Sequence, residues 1–348
     1  MRDGITAVVG VDVGDDWSHI CAVDLATGEV LVEGRVRTRR EALRARFAAM
    51  PAARVALEVG THSRWMQALL LSLGHEVVVA DARKLRMIFQ GTNKQDRLDA
   101  WSLAKVARLD PQLLYPVRHR GVQAQSDLSL IRARDQLVRT RVKLVTMMRS
   151  MVKATGERLP ACATERFAER TRGELPDCLR DSLEPVRAVV AEISASITRL
   201  DQRIEAAARS RYPQVWPLTT VRGVAVLTAM AYILVLEDPA RFARSRDVGP
   251  ALGLVPRRDQ SGQTDRQLGI TRTGDGLLRR LLVECAQHIL RDCSADSDLK
   301  RWGMAIAARG GGKAKRRAVV AVARKVAVLL HRLWVTQEDY VPLRNDAA

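Results

Sequence analysis

The chain has 348 residues, 47% of them hydrophobic, with 57 Lys and Arg against 39 Asp and Glu, a formal net charge of +18. That length and apolar content provide for two or three domains with cores of their own and exclude a disordered chain, while no run approaches the roughly 18 apolar residues of a membrane span. The positive excess points to a polyanionic partner, above all nucleic acid, and all but nine of the basic residues are arginine, the side chain suited to two-pronged phosphate contacts.

Residues 6–13, "TAVVGVDV", predict a buried strand ending in Asp12, not the basic start and apolar stretch of a secretion signal. Residues 19–25 and 30–36 predict two more strands, joined as a hairpin by a turn at "ATGE". A helix is expected over 40–50, a strand over 54–60 with Glu58 near its end, a helix over 63–73 closed by Gly74, and a strand over 75–81. Another helix follows Asp96. Three strands, then helix, strand, helix, strand, helix, is the order of an α/β RNase H-like domain, here assigned to residues 1–115.

From 116 to 210 glycines are few and apolar residues recur at helical spacing, among them Leu128, Ile131, Val138, Val142 and Val145, then Val186, Val190, Ile193, Ile197 and Leu200. This predicts a helical, coiled-coil-like antiparallel hairpin with residues 155–177 at its tip. Its first helix is basic. Arg132, Arg134, Arg139, Arg141 and Lys143 are candidate nucleic-acid contacts, a solvated charged face being the plain alternative.

Residues 211–348 read as a mainly α domain. "LTTVRGVAVLTAMAYIL" (218–234) has the pattern of a helix-hairpin-helix, with Ala225 where a second glycine is usual. Within 247–290 a polar loop centred on Ser261-Gly262 precedes an amphipathic basic helix, and "RGGGKAKRR" (309–317) reads as a flexible basic loop carrying Lys313, Lys315, Arg316 and Arg317 before a helix over 318–335. Cys285, His288 and Cys293 fit no zinc spacing and read as structural. Five scattered cysteines suggest reduced thiols, and a cytoplasmic protein is expected.

Asp96 and Asp99 lie three apart on one helix face. A helix cap explains Asp96 alone. It leaves unexplained an acid at the end of the first strand (Asp12) and another at the end of the fourth (Glu58), which adjoin in an RNase H-like sheet. Four converging carboxylates need cations between them, and magnesium or manganese suits an all-carboxylate set and supports phosphoryl transfer. Asp15 and Asp16 read as a turn.

"VVGVDVGDDWSHICAVD", "VALEVGTHSRWMQALLLSLGHEVVVADARKLR" and "NKQDRLDAWSLAKVARL" resemble the amino-terminal domain of IS110-family transposases, and "VRGVAVLTA" with "RFARSRDVGPALGLVPRRDQSGQTDRQLGITRTGDGLLRRLLVECA" resembles the family's carboxy-terminal domain. The resemblance implies a RuvC-like domain whose DEDD set falls on Asp12, Glu58, Asp96 and Asp99, a Mg2+ or Mn2+ cofactor, and a serine nucleophile at Ser261. Arg257, Arg258, Arg266 and Arg272 surround that serine and are candidate phosphate clamps. It further implies an insertion-sequence transposase acting on donor and target DNA, a noncoding guide RNA as partner, and a homodimer or homotetramer. Two alternatives stand beside it: a junction-resolvase-like nuclease in which water attacks, and a non-catalytic nucleic-acid-binding protein.

Overall fold

The computed structural model describes residues 4–81 and 96–344, Asp96 through its backbone only. The chain divides into two compact units, Met1–His119 and Arg120–Ala348. The first boundary thus falls a few residues beyond 115, and the helical hairpin and the carboxy-terminal segment, expected as separate domains, share one unit.

The first unit is built on a five-stranded mixed sheet of β1 (Ala7–Val13), β2 (Trp17–Asp24), β3 (Val30–Arg37), β4 (Arg54–Glu58) and β5 (Glu76–Ala80), in spatial order β3-β2-β1-β4-β5. β1 pairs antiparallel with β2 and parallel with β4. The β2–β3 turn closes because the Asp24 carboxylate accepts hydrogen bonds from the Ala26 and Thr27 amides at 2.8 and 2.7 Å, leaving Gly28 at a φ of 79°. Alternation along the strands divides the core in two. Val9, Val11, Val55 and Leu57 meet α1 (Arg40–Ala48) and α2 (Ser63–Ser72) through Leu43, Phe47, Met66 and Leu70. On the opposite face Val8, Cys21, Val23 and Ala56 meet α3 (Asp96–Leu109) through Ala100, Leu103, Ala104 and Ala107. The small residues on α3 let it lie close to the sheet.

The second unit begins with two long helices, α4 (Val122–Ala154) and α5 (Asp177–Arg211). They run antiparallel, since Asp127 meets Arg211, Arg134 meets Asp201 and Arg141 meets Ser194. Asp127 is 3% exposed and accepts from Arg211, Tyr212 and Gln123. Then come α6 (Val215–Thr219) and α7 (Val226–Leu236). Residues 228–236 of α7 are all buried, which makes it the axis of the core, surrounded by α8 (Gly276–Ile289), α9 (Asp298–Ala307) and α10 (Gly311–Thr336). Among the described residues no helix is long and apolar enough to cross a membrane.

Two expectations are corrected here. The polar loop around Ser261 is an antiparallel hairpin of β6 (Pro256–Ser261) and β7 (Thr264–Ile270). The basic "loop" over 309–317 is mostly helix, because α10 begins at Gly311 and carries Lys313, Lys315, Arg316 and Arg317 on its first turns.

Candidate active site

Register places the first two acids. Val11 of β1 pairs with Leu57 of β4, so Asp12 and Glu58 follow at the same level on neighbouring parallel strands. Both are half-buried. Because Val9, Val11, Val55 and Leu57 face α1 and α2, alternation sends Gly10, Asp12, Ala56 and Glu58 to the α3 side. α3 crosses that face closely: a Cβ on Gly10 would lie 1.9 Å from the Ala100 carbonyl oxygen. The helix runs opposite to β1, since Arg54 at the start of β4 donates to the Ala107 carbonyl near its far end. Its first turn therefore lies at the end of the sheet where Asp12 and Glu58 emerge. That turn holds Asp99, half-buried, and begins at Asp96, whose side chain lies outside the described residues. Among the described residues no three His, Cys, Asp or Glu form a group able to hold a metal. Asp12, Glu58 and Asp99 all carry carboxylates, the donor type that hard divalent ions take.

Two loops frame this end of the sheet. His62, just before α2, contacts Asp15 through Nε2 at 3.2 Å, and Trp65 Nε1 donates to His62 Nδ1 at 3.1 Å. A neutral His62 thus carries its proton on Nε2 and donates to Asp15, which ties the β1–β2 loop to the β4–α2 loop. Ser63 secures the latter, its hydroxyl donating to the Gly60 carbonyl and meeting His119 Nε2 at 3.0 Å. The sequence offered no signal for His62, because its partner is 47 positions away.

In the second unit Ser261 ends β6 opposite Thr264. The two-residue loop between them starts with Gly262 at a φ of 54°, the positive value that the first position of a type II′ hairpin turn requires. Asp259 pairs with Arg266 and Gln260 with Asp265, so Ser261 shares a face with Asp259, Thr264 and Arg266. Arg258 lies on the other face, in a two-pronged ion pair with Asp265 at 3.0 and 2.7 Å. Residues 256–269 are all exposed, yet the base of the hairpin is fixed. Thr271 donates to the Val255 carbonyl, Arg272 (φ 57°) donates to the Gly253 carbonyl, and a Cβ on Gly274 would lie 2.1 Å from the Ala251 carbonyl oxygen. The candidate nucleophile is thus an exposed hydroxyl at the tip of an anchored arm.

The predicted basic contacts separate by environment. Arg132 pairs with Asp275, Arg134 with Asp201 and Arg139 with Asp135. Arg141 is 4% exposed and donates to Glu165 and Ser194, so it faces protein and not a polyanion, which corrects that expectation. Lys143 and Arg257 are exposed. Lys313, Arg316 and Arg317 line a groove of about 1540 Å³ together with Arg272, Arg324 and Trp302.

Residues 9–156 match the family model for DEDD transposases of the IS110 type, described as transposase, and residues 217–301 match the model described as transposase, IS116/IS110/IS902 family. The chain is 28% identical over 346 residues to the transposase for insertion sequence element IS1111A of Coxiella burnetii, covering 96% of this chain and 91% of that one. It is 29% identical over 306 residues to the transposase for insertion sequence element IS1328 of Yersinia enterocolitica, covering 85% and 87%.

Proposed function

Since this chain belongs to the IS110 family of transposases, we propose that it cuts and rejoins DNA strands through a carboxylate-held divalent metal site in its first unit and a serine nucleophile in its second. The observation that carries this reading is the level placement of Asp12 and Glu58 on adjacent strands, on the face covered by α3. These two acids, with Asp96 and Asp99, would hold Mg2+ or Mn2+, in the manner of a RuvC-like site. Such an ion would supply Lewis-acid polarisation of a phosphate oxygen and charge stabilisation at the departing one.

Ser261 attacks phosphorus: a Ser261 Oγ–P bond forms, the P–O bond to the DNA sugar breaks, the serine proton passes to solvent or a nearby carboxylate, and the leaving oxygen takes up a proton. The phosphoserine ester conserves the bond, so a hydroxyl of a second strand can displace the serine and reseal without an external energy source. Arg266, on the face of Ser261, and Arg257 neutralise the phosphate. Gly262 keeps the tip narrow. A noncoding RNA selects the site by base pairing, the charge of +18 serving both nucleic acids. The working assembly is a homodimer or homotetramer.

A water-using nuclease with the same acids is the second reading, and the exposure of Ser261 on an arm with a fixed base favours the serine. Ser261→Ala decides between them. Purified protein with its RNA and magnesium should form a denaturation-resistant protein–DNA adduct and exchange strands, and the variant should do neither. Cutting that persists in the variant establishes water as the nucleophile.

A further inference from the structure

The row through Asp12 continues past the acids. Asp12 pairs with His19 on β2 and His19 with Arg35 on β3, so Glu58, Asp12, His19 and Arg35 form one line across four strands. The next pair outward on the same face is Trp17 with Arg37. Trp17, His19, Arg35 and Arg37 keep the parity of Cys21, whose side chain lies in the core beneath α3, so all leave the sheet on the side of Asp12. Beside β2 and β3, α3 meets the preceding row, where Arg97 pairs with Glu33 opposite Cys21.

Two features mark Arg35 and Arg37. Both guanidinium groups rest against one indole, 4.6 and 4.2 Å from the Trp17 ring centroid, a cation–π arrangement that orders them without neutralising them. Among the described residues neither forms an ion pair, whereas the exposed Arg132 and Arg139 both do. β3 is an edge strand, and charge on an edge often serves to block pairing with another sheet. That role would place charge along its whole length. Val30, Leu31 and Val32 are instead 50, 54 and 38% exposed, and the cations gather only at the end that meets the acids.

We infer that Arg35 and Arg37, held on Trp17, form the seat for the phosphodiester backbone of the DNA strand entering the acid site, an inference that rests on the strand-transfer reading of that site. Carboxylates repel a phosphate chain approaching them. Two pre-ordered guanidiniums about two strand spacings away, roughly 10 Å, attract it and fix which side of the acids it crosses. Each offers a planar fork of donors matched to phosphate oxygens.

The test measures binding of the full-length protein to a labelled DNA duplex and, in parallel, to an RNA hairpin, by fluorescence anisotropy over a series of salt concentrations. Arg35→Glu/Arg37→Glu should weaken duplex binding by at least about ten-fold and reduce the log–log salt slope by about two, one unit per lost phosphate contact. Arg35→Lys/Arg37→Lys should keep the slope, and neither pair should alter RNA binding. Circular dichroism melting checks folding, and Arg35→Gln/Arg37→Gln with the same slope criterion replaces the glutamates if they unfold the sheet. Wild-type affinity and slope in the reversed pair, or a loss confined to RNA, overturns the inference. Asp12→Asn should leave the duplex uncut. Cutting by that variant defeats the metal-site reading and leaves the affinity result for Arg35 and Arg37 standing.

Discussion

The backbone carbonyl of Ala100 occupies the space that a side chain on Gly10 would need, 1.9 Å from where its Cβ would stand, and the Ala104 amide is 2.6 Å from the same point. Both obstacles are backbone, so no rotamer change relieves them. Gly10→Ala must push α3 off the sheet. The expected loss is about 3 kcal/mol, the upper part of the range for overpacking, read as a fall in urea midpoint. Because Asp12 lies two residues beyond Gly10 and Asp99 one before Ala100, cutting should fall with stability, even at temperatures where the variant remains folded.

If the acids hold a divalent ion, the ion stabilises the folded state by mass action. Magnesium or manganese at about one hundred times its dissociation constant adds about 2.7 kcal/mol. Thermal scans with the ion and with EDTA should show that increment in wild type and not in Asp12→Asn or Glu58→Gln. A wild-type melting temperature indifferent to both ions removes these carboxylates from metal binding.

Asp127 ties α4 to the end of α5. Burial opposes its charge, but hydrogen bonds from Arg211, Gln123 and Tyr212 outweigh that and hold its pKa below the usual carboxylate value. A depressed native pKa means stability that is present above about pH 4, the unfolded value, and lost as pH falls through the native one. Asp127→Asn should cost about 1.5 to 3 kcal/mol at neutral pH and flatten the acid limb of the stability profile below pH 4. An unchanged acid limb would assign that limb to other carboxylates.

Cys285 is buried against Thr228, and desolvation pushes its thiol up to about 11. Cys178 and Cys293 are exposed. With a thiol reagent at pH 8, the exposed pair should react at once and Cys285 only as fast as the second unit opens, which peptide mass mapping of the labelled protein resolves. Prompt labelling of Cys285 would show that α7 and α8 separate readily.

The sheet was legible because its strands are short apolar runs bounded by turn residues, and Asp12 and Glu58 were visible as acids closing two of those runs. The β6–β7 hairpin was not. With residues 256–269 exposed on both faces, nothing imposes an apolar alternation, and the polar sequence reads as a loop. The start of α10 was hidden by Gly310, Gly311 and Gly312, which suggest a break although the helix forms from Gly311. The line from Glu58 to Arg35 needed the register of three strand pairings, and linear spacing carries no record of register.

The anchored base of the β6–β7 arm sets a parity rule for engineering its reach. Each cross-strand pair added below Gly262 advances the tip by one residue rise, about 3.4 Å, and turns Ser261 to the opposite side. Only additions of two pairs preserve the direction in which the hydroxyl points, so the arm can be lengthened in steps of about 7 Å and at no intermediate length.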